Sequence, residues 1–176
     1  MELKYIEKGY IHLYTGNGKG KTTAAIGLAV RAVGAGKKVF IGQFVKGMHY
    51  AELDSLKRFP EIVLRQYGLD CFIKNEPTQR DIDIARNGLK EVSSIIEDGY
   101  FDMVILDELC IALYYKLFEI EKVIAILKSK PKLMEVVLTG RYAPNELIEL
   151  ADLVTEMKEV KHYYSKGIQA RKGIEY

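Results

Sequence analysis

Thr15-Gly-Asn-Gly-Lys-Gly-Lys-Thr22 is the stretch that decides the fold of this chain. It follows Tyr10-Ile-His-Leu-Tyr14, which reads as a strand, and opens onto residues 22–35, where Ala25, Leu28, Ala29 and Ala32 recur at helical spacing. A strand, a glycine-rich turn and a helix are the context that a phosphate-binding loop of the pattern G-x-x-x-x-G-K-T requires. Thr15 stands here in place of the first glycine. Gly16, Gly18 and Gly20, with Asn17 among them, let the backbone fold into a nest of N–H groups aimed at phosphate oxygens. The helix adds the positive end of its dipole. Lys21 brings an ammonium to the phosphates, Thr22 a hydroxyl for Mg²⁺ and Lys19 a second cation, and Thr23 follows in the first helical turn. The loop predicts ATP or GTP bound with Mg²⁺.

The second half of such a site is an acidic residue ending an apolar strand, and Asp102-Met-Val-Ile-Leu-Asp107 followed by Glu108 supplies it. Asp107 is the expected outer partner of Mg²⁺, and Glu108 sits one residue further, over the phosphates. The near-continuous apolar run suits the centre of a parallel sheet. Outward from these two anchors, residues 38–44, 62–67, 135–139 and 153–157 read as strands, and residues 51–59, 119–128 and 144–151 as helices. A loop spans residues 68–77. Thr78-Gln-Arg-Asp81 has the form of a capping box, with Asp for the usual Glu, ahead of a helix to about residue 97 that turns Ile82, Ala85, Leu89, Val92 and Ile96 inward. Alternating strands and helices predict an α/β fold, a mostly parallel sheet with helices on both faces. Residues 1–176 read as a single domain with a basic tail, 158–176.

Composition narrows the function classes. At 48% hydrophobic and 28% charged, the chain is neither disordered nor fibrous. Lys and Arg number 26 against 24 Asp and Glu, so net charge draws it to neither nucleic acid nor anionic lipid. Cys71 and Cys110 form no CxxC pair, which excludes a disulfide framework and a zinc ribbon. His12, His49 and His162 have no metal-ligand spacing. The opening MELKYIEKGY has no apolar core of a signal peptide, and no run approaches the roughly 20 apolar residues that span a bilayer. A cytoplasmic setting without membrane or nucleic-acid partner is expected. The tail carries five positive and two negative side chains, with Tyr163 and Tyr164 interleaved, and reads as a solvated or dimer-contacting segment.

Nucleotide and Mg²⁺ do not name the bond that breaks. A RecA-like ATPase or a small-molecule kinase needs a group such as Glu108 to orient water or accept a hydroxyl proton. Attack at the ribose 5′-carbon, with the whole triphosphate leaving, needs charge stabilisation but no general base when the nucleophile carries no proton. Loop, Lys21 and Mg²⁺ suit both.

The loop at residues 15–25 resembles that of the P-loop type of corrinoid adenosyltransferase. Four further stretches match in order: Gln43-Phe-Val-Lys-Gly47, Leu106-Asp-Glu-Leu109, Leu138-Thr-Gly-Arg141, and Val160-Lys-His162 with Gly167-Ile-Gln-Ala-Arg-Lys-Gly-Ile-Glu-Tyr176. Thr15 is usual for that family, so the departure from the general pattern supports the match. The resemblance implies a RecA-like P-loop fold, a homodimer, and attack of cob(I)alamin or a related cob(I)rrinoid on the 5′-carbon of ATP, with inorganic triphosphate released. It implies a reduced flavoprotein as electron donor. Carried onto this chain, Gly16 to Thr22 hold the triphosphate, Lys21, Thr22 and Glu108 act in catalysis, and Thr22, Asp107 and Glu108 close the metal side. Arg31 and Arg141 are expected to touch nucleotide or corrinoid. Family members carry an amino-terminal cover over the nucleotide, which the few residues before the first strand would make short or absent here. They also use an aromatic pair with a Trp to displace the corrinoid's lower ligand; this chain has no Trp, and Phe72 is the nearest candidate.

Overall fold

The computed structural model describes residues 8–70, 73 and 76–176. Phe72 and the segment before Lys8 lie outside them, as does Cys71. The described chain runs β1 (Ile11–Thr15), α1 (Lys21–Gly34), β2 (Val39–Phe44), α2 (Ala51–Leu56), β3 (Ile62–Tyr67), α3 (Gln79–Asp98), β4 (Met103–Asp107), α4 (Leu109–Tyr114), α5 (Ile120–Lys128), β5 (Glu135–Thr139), α6 (Asn145–Leu150) and β6 (Leu153–Glu156). A 3-10 turn, Tyr163–Lys166, follows. The six strands form one sheet in the order β3-β2-β4-β5-β1-β6, every pair parallel.

Side-chain alternation builds a core on each face. Val39 and Ile41 of β2, Met103 and Ile105 of β4 and Val137 of β5 pack under α1, which meets them with Ala25, Ala29 and Ala32. Those small residues let α1 lie close to the sheet. Phe40, Phe44, Val104, Leu106, Val136 and Leu138 point the other way, against Ala85, Leu89, Val92 and Ile96 of α3 and Val123 and Leu127 of α5. Burial on both faces is why β2 and β4 are buried along their whole length.

The capping box forms: Thr78 Oγ1 accepts from the Asp81 N–H, and Asp81 Oδ2 accepts from the Thr78 N–H at 2.8 Å. The helix it starts ends on Gly99, whose φ of 65° is left-handed. Most element ends shift by about a residue from the sequence reading, and three differences are of another kind. The helix expected over 51–59 stops at Leu56. Pro144 has extended backbone and caps α6 from outside instead of opening it. The span 109–114, read as no element, is α4; four of its six residues are buried, so it shows no polar face from which a helical period could be read.

The topology places the site. β5 lies between β1 and β4, so the loop leaving β1 and the carboxylate ending β4 stand on either side of β5, at the carboxyl edge where α/β sheets bind ligands.

Candidate active site

The loop after β1 is held in shape from beneath and behind. Gly16 and Gly20 have φ of 93° and 122°, open to glycine at no steric cost. A Cβ on Gly16 or on Gly18 would lie 2.6 Å from the Met157 carbonyl oxygen. Met157 is the first residue beyond β6. Its N–H donates to the Thr15 carbonyl at 2.8 Å and its carbonyl accepts from the Gly18 N–H at 2.6 Å. Gly16 is thus required twice, by the turn and by the neighbouring backbone, Gly18 by the backbone and Gly20 by the turn.

Lys21 is buried, and its Nζ donates to the carbonyls of Gly16 at 2.7 Å and Gly18 at 2.8 Å. The side chain arches over the loop it belongs to. Burial pushes its ammonium below the usual lysine range, opposed by the Glu108 carboxylate and reinforced by Arg141. An anion arriving here would restore what burial removes. Asn17 and Thr23 are exposed beside it.

Asp107 is the hub of the site. It is buried, and Oδ1 accepts from Thr22 Oγ1 at 2.8 Å and Thr139 Oγ1 at 2.7 Å. Oδ2 accepts from Lys46 Nζ at 2.8 Å and more distantly from Gln43 Nε2 at 3.3 Å. The start of α1 and the ends of β2, β4 and β5 therefore converge on one carboxylate. Burial works against a charged Lys46, but Asp107, Glu108 and Glu52 outweigh it and hold the ammonium above the usual lysine range. Glu108 follows in the left-handed conformation, φ 57°, its N–H donating to Thr139 Oγ1 at 3.0 Å. Burial, then the Asp107 charge, raises its carboxyl above the ordinary range. Cys110, the second residue of α4, is a free thiol that burial pushes up to about 12, so it stays protonated.

The sequence-chosen residues divide. Gly16 to Thr22, Asp107 and Glu108 are brought together. Arg141 is exposed just past β5, with its charge felt at Lys21 and Glu108. Arg31 is exposed in the last turn of α1, ten residues and so ~15 Å along the axis from Lys21, and does not join them. Lys19 turns its ammonium to the tail, onto Glu175 at 2.6 Å and Tyr163 at 2.9 Å. Phe72 lies outside the described residues. Lys46, Gln43 and Thr139 were not singled out, although all three lie in stretches that carry the resemblance; their convergence on Asp107 is a tertiary fact.

The oxygen donors here suit Mg²⁺, which uses one or two protein oxygens beside substrate phosphates. Thr22 and Asp107 already meet at 2.8 Å. Among the described residues no cluster of three His, Cys, Asp or Glu side chains forms an all-protein metal cage.

The sequence is similar to known proteins along nearly its whole length. The family model described as ATP:corrinoid adenosyltransferase BtuR/CobO/CobP matches residues 7–176. The corrinoid adenosyltransferase of Pseudomonas aeruginosa is 40% identical over 172 residues, 97% of this chain and 85% of that one. That of Escherichia coli K12 is 36% identical over 170 residues, 97% of this chain and 87% of its own. That of Salmonella typhimurium LT2 is 35% identical, with the same coverage. With a phosphate loop, a carboxylate hub and near full-length similarity in one chain, the protein belongs to the ATP:corrinoid adenosyltransferase family.

Proposed function

We propose that this protein, acting as one domain, transfers the 5′-deoxyadenosyl group of ATP to the Co(I) of a reduced corrinoid, cobalamin or a precursor. Co(I) attacks the ribose 5′-carbon, the carbon–oxygen bond to the triphosphate breaks, and triphosphate leaves as the electron pair passes to its oxygen. Cobalt ends as alkylated Co(III). The nucleophile carries no proton, so no general base is needed.

The observation that carries the reading is the family match over residues 7–176; buried Lys21, its Nζ 2.7 and 2.8 Å from the loop carbonyls, is the cation that would meet the growing leaving-group charge. Gly16, Gly18 and Gly20 offer the backbone cradle, Asn17 and Thr23 its rim. Thr22 and Asp107, with Glu108 beside them, would hold Mg²⁺, which supplies further charge neutralisation on the triphosphate. Lys46 keeps the Asp107 carboxylate oriented. Arg141, whose charge is felt at Lys21 and Glu108, would meet nucleotide or corrinoid. Family membership supports a homodimer, a reduced flavoprotein donor of the electrons that make Co(I), and a place in the cytoplasm; among the described residues no helix is long and apolar enough to cross a membrane.

The test is anaerobic: protein, MgATP and chemically reduced cobalamin, followed by visible spectroscopy and phosphate analysis. A light-sensitive adenosylcobalamin spectrum with triphosphate is expected, and Lys21→Ala should lower turnover by about 10²-fold or more, the usual cost of one preorganised electrostatic contact. ADP and phosphate with an unchanged corrinoid would mean phosphoryl transfer instead, as in an ATPase or kinase.

A further inference from the structure

The carboxy-terminal tail closes on the phosphate loop at a second point. Lys19 Nζ donates to Glu175 Oε1 at 2.6 Å, to Tyr163 Oη at 2.9 Å and to the Ile174 carbonyl at 2.9 Å. Those three partners fill the three donors of an ammonium. Tyr163 Oη also donates to Glu175 Oε1. Arg171 completes the knot: its backbone N–H donates to Glu175 Oε2 at 2.8 Å, its guanidinium reaches Glu175 Oε1 at 3.4 Å, and it lies 4.8 Å from the centre of the Tyr163 ring. Glu175 is held well below the usual carboxylate range, first by Lys19 and then by Tyr163.

The position of Lys19 matters. It stands between Gly18, pinned to Met157 by its N–H, and Gly20, left-handed at φ 122°. Glycine gives this stretch freedom, and freedom must be removed before N–H groups can converge on an anion. Met157 fixes the loop at Gly18; the Lys19 contacts fix it one residue further on. A surface ion pair alone is weak, but this one is a network with a short charge-assisted bond and a tyrosine hydroxyl shared between its members.

We propose that Glu175 is a positioning residue for triphosphate: with Tyr163 it acts through Lys19 to hold the Gly16–Gly20 backbone in its anion-binding shape, so that tail folding and triphosphate binding are coupled. Glu175 need not touch the nucleotide. The coupling is reciprocal, because a ligand that favours the ordered loop must also favour the docked tail. The inference rests on the loop being the triphosphate cradle.

The experiment is calorimetric titration of inorganic triphosphate with Mg²⁺ into the full chain, for wild type, Glu175→Gln, Lys19→Met and the double variant. Binding by wild type comes first: no binding overturns the cradle reading itself. Given binding, Glu175→Gln should weaken it about fivefold to tenfold, the scale of one charge-assisted contact partly transmitted. The double variant should be no weaker than Lys19→Met within about twofold, since both remove one link. In turnover, KM for ATP should rise by the same factor while kcat stays within about twofold, the mark of lost uniform binding. Tyr163→Phe keeps the ring against Arg171 and should show a smaller shift of the same sign. Unchanged triphosphate affinity in Glu175→Gln, with only the melting temperature lowered, would make the knot purely structural and overturn the proposal. Additive losses in the double variant would overturn it as well.

Discussion

Asp152 shows how much one side chain can fix. It follows α6, yet its Oδ2 accepts the N–H of Ile11 at 2.9 Å, the first residue of β1, and its Oδ1 meets Lys8 at 3.3 Å. The Ile11 bond, with help from Lys8, holds this carboxyl below its ordinary value of 3.8. A carboxylate with a depressed folded pKa stabilises fully above the unfolded value and loses that contribution as pH falls through the folded one. Asp152→Ala should therefore cost about 1 kcal/mol at pH 7, the net value of one hydrogen bond. Urea melts of the pair should converge at pH values below 3.8. A gap that persists undiminished at low pH would assign the loss to packing. The same scale explains what could be read from sequence in the site. Lys21 and Thr22 belong to the loop's own motif, so a local pattern exposes them, although Thr22 also reaches Asp107. Lys46 and Thr139 meet Asp107 from 61 and 32 residues away, and nothing local announces that meeting.

Among the elements, α3 and α4 fail and succeed for opposite reasons. α3 was legible because its polar face and its capping box are both written in sequence. α4 was not, because Leu109, Cys110, Ala112 and Leu113 are all buried in six residues and no periodic contrast survives. α3 also carries a demand that periodicity does not show. Gly88 faces Tyr67 at the end of β3 so closely that a Cβ would lie 2.4 Å from the ring. Tyr67 is itself buried, packed on Phe44 with ring centres 5.3 Å apart. Gly88→Ala gains about 1 kcal/mol of helix propensity. It must also force helix and ring apart, and overpacking a tight core costs about 1–3 kcal/mol. The clash should win, and thermal denaturation should show a lower melting temperature than wild type. A rise would mean that Tyr67 swings aside freely, and pairing the change with Tyr67→Leu should restore the helix gain.

At the scale of the molecule, the site joins parts that are far apart in the chain and adjacent only through strand order. The order β3-β2-β4-β5-β1-β6 brings the loop after β1, the carboxylate after β4 and Thr139 of β5 to one edge, with Met157 closing behind. The α/β class was legible from alternation; this order was not, because parallel pairing is decided by contacts between distant segments. A ligand gripped there ties several elements at once and must stabilise the whole fold by mass action. At a concentration of about 100 Kd that is ~2.7 kcal/mol. For a chain of this size the melting temperature should rise about 5–10 °C. On the proposed function the grip is on the phosphates, so inorganic triphosphate with Mg²⁺ should reproduce most of the rise that MgATP gives, and AMP little of it. Lys21→Ala should flatten both responses while melting within a few degrees of wild type without ligand, since its ammonium sits at the edge of the core and not inside it. An AMP response equal to that of ATP would move the grip to base and sugar, and the phosphate loop would then no longer be where the leaving group is held.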